Sequence, residues 1–134
     1  MEHEIIGGFT FYGYIPDNSD EQHLGIVLGV NDPFLKYCYC TSSKYKRIIN
    51  EIDFVKISAE RMQKYFNNAK ETYIYISHQH IIDILLITFK SRLNSEYEIK
   101  ESIDNDIFAQ ILSRIQNSDN LSDRFKSEFF AFIG

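Results

Sequence analysis

A chain of 134 residues, 44% of them hydrophobic and 25% charged, carries enough apolar side chain for one core that needs no staple, which sets disorder aside. A net charge of −5 argues against a general nucleic-acid binder, whose balance is basic, but leaves room for a local basic patch. Two cysteines cannot build a secreted disulfide scaffold, MEHEIIGG lacks the segments of a signal peptide, and the longest apolar run, IIDILLITF at 81–89, is too short to cross a bilayer; a cytoplasmic protein with no membrane part is expected.

FTFYGYI (9–15) is aromatic and β-branched and reads as a strand, and PDNSDEQ (16–22) as a polar loop. HLGIVLGV (23–30) alternates as a second strand, in which Gly25 and Gly29 suggest bends or a close backbone approach. After the turn NDP (31–33), FLKYCYC (34–40) forms an antiparallel hairpin with it. A loop, TSSKYKRIINE, leads to a short strand at 53–57. SAERMQKYF (58–66) then reads as one or two helical turns capped by Ser58, and NNAKE as a break. TYIYIS (72–77) and IIDILLITF (81–89) are β-rich, with His78 and His80 between them. After Ser91 the period changes. Ile103, Ile107, Ile111, Leu112 and Ile115 share a helical face behind a cap at Asp104 or Asn105, and Ser122 opens a last helix striped by Phe125, Phe129 and Phe132. Strands first and helices last make a single α+β domain: a small antiparallel barrel over about 7–93 and a helical C-terminal part over about 103–133.

The stretch KYCYCTSSKYK (36–46) raises the question of chemistry. Cys38 and Cys40 would suggest zinc only with two further ligands; His78 and His80 supply them on paper, but the cysteine spacing is short and nothing brings the pairs together, so no metal and no cofactor is expected. Thr41, Ser42 and Ser43 are hydroxyls that serve a turn or a phosphate equally well. Lys44, Lys46 and Arg47 lie in a stretch without acids, and Tyr45 between them offers a ring to a base. Acids gather elsewhere, at Asp17, Asp20 and Glu21 and again through 96–106; Arg92 has a choice of partners, the acids of 96–106 or the active loop at 41–47.

The order of these elements carries a resemblance. A Gly-started strand (GGFTFYGYI), a polar loop, HLGIVLGV, a hairpin, a strand ending in TSS, and later Arg92–Leu93 before a helix resemble, over roughly 7–116, the MazF/PemK family of bacterial toxin ribonucleases. The resemblance implies an SH3-like barrel and a metal-independent endoribonuclease that cuts single-stranded RNA, is held off by a cognate antitoxin, and pairs as a homodimer. It places the family's Thr/Ser position on Thr41, with Ser43 beside it, and the basic position near His23. Where the family carries Arg-Pro, this chain reads Gln22-His23-Leu24, and an imidazole is charged only when protonated.

RNA cleavage by its own 2′-OH needs a base, an acid and donors for the charge on phosphorus. On this reading His23 is base or acid, Thr41 and Ser43 are donors, and Lys44, Tyr45, Lys46 and Arg47 bind RNA. The alternative is a non-catalytic SH3-like module that binds a protein partner, which the missing Arg and the negative charge favour.

Overall fold

A computed structural model describes residues 4–42 and 53–134. The first two strands, β1 (Thr10–Tyr14) and β2 (Gln22–Asn31), pair antiparallel with Thr10 opposite Ile26. β2 turns through Asp32 and Pro33 into β3 (Phe34–Thr41), as the hairpin signal implied; Asn31 faces Phe34, and the register slips by one residue between Val27 and Gly29. β4 (Phe54–Ile57) and β5 (Thr72–Tyr75) flank α1 (Ala59–Met62), whose N-cap Ser58 accepts from the Arg61 N–H at 3.3 Å.

The next strand, β6 (Ile81–Leu85), stops earlier than its β-rich run suggests. From Leu86 the chain is helical, as α2 (Leu86–Arg92). The reason is tertiary: helical turns carry Phe89 to a fully buried position, while Ile87 stands 77% exposed. A short strand within the acid-rich stretch, β7 (Glu98–Lys100), pairs with β1 and had no sequence signal. α3 (Asn105–Asn117) and α4 (Asp123–Ile133) close the fold where the 3.6-residue period placed them.

The class is α+β with an antiparallel sheet, as read. The strands run β4-β5-β3-β2-β1-β7, with β6 also on β3. Among the described residues no ladder joins β7 to β4, so the sheet is open where a closed barrel was expected.

Alternation gives the sheet two packed faces. Leu24, Ile26 and Leu28 of β2 and Cys38 and Cys40 of β3 lie against Ile107, Ile111 and Ile115 of α3 and Phe129 of α4. Val27, Leu35 and Tyr37 face the other way, onto Phe9, Phe11, Phe89 and Tyr97. Gly25 permits this second core: a Cβ there would stand 2.4 Å from the Phe11 ring. Phe89 meets Phe11 edge-on at 4.8 Å and Tyr97 at 5.7 Å. Phe89→Ala is expected to lower unfolding free energy by about 3–5 kcal/mol in urea melts, the usual loss for emptying a buried aromatic site.

Candidate functional site

The β2–β3 ladder ends at Gly25 opposite Tyr39, and on the other edge of β3 the residues Cys40 and Thr41 pair with Ile74 and Tyr73 of β5. A cleft of about 360 Å³ lies at these strand ends. β2 contributes Gln22, His23 and Leu24 to its lining, and β3 contributes Cys40 and Thr41, followed by Ser42. Tyr12 of β1, the register partner of Leu24, also lines it, as do Phe66, Asn68 and Lys70 from the segment joining α1 to β5. The floor is apolar (Leu24, Cys40, Met62) and the rim polar, the usual make-up of a small-ligand site.

His23 is held firmly. Its side chain is 15% exposed. Nδ1 lies 2.8 Å from the Ile15 carbonyl oxygen, which can only accept, so Nδ1 carries a hydrogen and donates it. That leaves Nε2 as the nitrogen able to take up or release a proton. The Glu21 carboxylate stands 3.8 Å from Nε2, on the cleft rim. The imidazole packs on the Tyr39 ring at 5.3 Å, and His80 packs on the same ring at 5.5 Å.

The loop ahead of His23 is fixed from outside. Arg92 Nη1 donates to Asp17 at 2.7 Å and to the Tyr97 hydroxyl at 3.0 Å, and its Nε lies 3.4 Å from Glu96. Of the partners anticipated for Arg92, an acid of the 96–106 stretch is present as Glu96; Asp17 belongs to the 16–22 loop and not to the 41–47 loop that was the other choice. The hydrogen bonds to Tyr97 and Asp17 push the guanidinium pKa further above its already high value.

Of the residues singled out in the sequence, His23 and Thr41 border one cleft. Ser43, Lys44, Tyr45, Lys46 and Arg47 lie outside the described residues. Cys38 and Cys40 are both buried in the main core, where desolvation pushes the Cys38 thiol up to about 12 and Cys40 well above its ordinary value. His78 packs on Phe125 at 4.6 Å and His80 on Tyr39 and Tyr75, so the paired histidines do not converge on the paired cysteines. Tyr12, Phe66, Asn68 and Lys70 were not singled out in the sequence: Tyr12 lay within the first strand, Phe66 ended the segment read as helix, and Asn68 and Lys70 fell in the segment read as a break.

No protein-family model matches the chain, and no curated protein matches it. No helix among the described residues is long and apolar enough to cross a membrane.

His80 gives the fold a pH signature. It is half-buried, its Nδ1 is hydrogen-bonded to the Ser77 hydroxyl at 2.6 Å, and desolvation lowers its pKa below 6.5. The unfolded chain therefore binds a proton that the folded chain resists. This contribution is fully present above pH 6.5 and is lost as pH falls toward the lowered folded value. In His80→Gln, the fall in urea midpoint between pH 7 and pH 5 is expected to be shallower than in the wild type.

Proposed function

We propose that the chain is a MazF/PemK-like toxin, a metal-independent endoribonuclease that cuts single-stranded RNA, acts in the cytoplasm, pairs as a homodimer and is restrained by a cognate antitoxin. One observation carries this reading. His23 at the start of β2 and Thr41 at the end of β3, followed by Ser42, are among the residues that line a single open cleft.

The chemistry follows from those groups. Nε2 of His23 takes the proton from a ribose 2′-OH, and that oxygen attacks the adjacent phosphorus. The bond to the 5′-oxygen breaks, and that oxygen takes a proton from solvent water as it leaves. The products are a 2′,3′-cyclic phosphate and a 5′-hydroxyl end. Thr41 and Ser42 donate to the phosphate oxygens, and the Lys70 ammonium balances their charge. Glu21 sits on the His23 side of the rim, so the phosphate lies toward Thr41, Ser42 and Lys70, away from the carboxylate.

A second reading, a non-catalytic module for a protein partner, is favoured by one feature. Phe34 and Leu85 are register partners, each 45% exposed, and Ile87 beyond them is more exposed still.

The purified chain is expected to cut single-stranded RNA in the presence of EDTA, and its induction to arrest bacterial growth. His23→Ala and Thr41→Ala should each lower the cleavage rate by about 10²–10⁴-fold. Urea midpoints of both variants separate lost chemistry from lost fold, since His23 also anchors Ile15. Cleavage that persists in both variants removes this assignment. A wild type that neither cuts RNA nor arrests growth leaves the protein-binding module.

A further inference from the structure

On the nuclease reading, we infer that the part of the cleft lined by Tyr12 and Phe66 is a pocket for one unpaired nucleobase, and that it sets which RNA sequence is cut. The two rings meet at 5.0 Å with planes 61° apart, both half-buried, and both line the cleft. Aromatic rings open to a cleft are what a base needs for stacking, and stacking accepts every base. Discrimination needs a polar edge, and the same lining supplies two side-chain amides, Gln22 and Asn68, each able to donate and accept at once.

The wall is built to stay in place. Lys100 lies 5.8 Å from the Tyr12 ring centre and 5.3 Å from that of Phe66, and its ammonium donates to the Tyr65 carbonyl at 3.3 Å. The Phe66 N–H donates to the Met62 carbonyl at 3.2 Å, which ties the ring to the end of α1. α1 is itself clamped to the start of α3: Arg61 donates to Asp106 at 2.6 and 2.8 Å and to Asp104 at 2.7 Å, and Lys64 donates to Asp104 at 2.6 Å. A stacking wall ordered before its ligand arrives loses little entropy on binding.

Size and strandedness agree. The cleft, of about 360 Å³, is of the size of one nucleotide. In a duplex both faces of each base are already covered, whereas a single strand can turn a base out. The hydroxyls of Thr41 and Ser42 and the Lys70 ammonium border the same space, so a base in the pocket brings its own phosphate to them.

The test uses the full chain and four fluorescein-labelled 2′-O-methyl homo-oligonucleotides, which cannot be cut because the 2′ oxygen is blocked. Anisotropy titrations of the wild type are expected to favour one base by tenfold or more. Tyr12→Leu and Phe66→Leu should each weaken that oligonucleotide about tenfold and level the four affinities. Asn68 is exposed, so Asn68→Ala reads out recognition apart from folding; it should reduce the preference while leaving the urea midpoint in place. Equal binding of the four by the wild type, or an unchanged preference in all three variants, overturns the pocket. A wild type that cuts RNA without base preference overturns the pocket and leaves the nuclease reading standing. Selective binding without cleavage of unmodified RNA keeps the pocket and overturns the nuclease reading.

Discussion

The structure depends on the divided pairing of β3. One strand serves three neighbours: β2 along one edge, and β6 and then β5 along the other. A strand has two edges, so a third partner can be met only by changing partners along its length. Along that second edge β6 gives way to β5 at Cys40 and Thr41, while on the first edge the β2 ladder ends at Tyr39. The cleft lies where these ladders end; its polar groups come from the strand ends and the adjoining loops, and its apolar floor from Leu24 and Cys40, which belong to the core.

Charge distribution matters more here than charge total. The chain is acidic overall, yet several of its acids are answered in place. Lys64 and Arg61 hydrogen-bond the Asp104 carboxylate and hold its pKa below the usual range, and Arg61 does the same for Asp106. Asp17 is taken by Arg92, and Asp83 by Lys36 at 2.7 Å. At the cleft itself Lys70 and His23 stand with the acid Glu21. A net value computed over the whole sequence averages this away, and so it weighs little against binding of an anionic strand at one site.

Much of the fold was legible because its signals are local. The first three strands alternate, NDP marks the hairpin, and α3 and α4 carry the helical period with Ser122 capping the second, where it accepts from the Phe125 N–H at 3.1 Å. The remainder is set by contacts distant in sequence. Glu98–Lys100 carries no pattern and becomes a strand because β1 offers it an edge. Leu86–Arg92 looks like continuing strand and becomes helix because Phe89 is needed beside Phe11. Sheet closure was inferred from element order, and order does not fix which ends meet. For the candidate site, His23 and Thr41 were singled out through the family resemblance, whereas Phe66 and Lys70 reach the cleft through the tertiary placement of the segment between α1 and β5, which no local pattern signals.

The two thiols offer a last consequence. Cys38 and Cys40 are packed away from solvent and held in their unreactive, protonated form. An alkylating reagent can reach them only when the central strand opens, so their modification rate is a built-in clock for global breathing of the sheet, readable by mass shift without any introduced label.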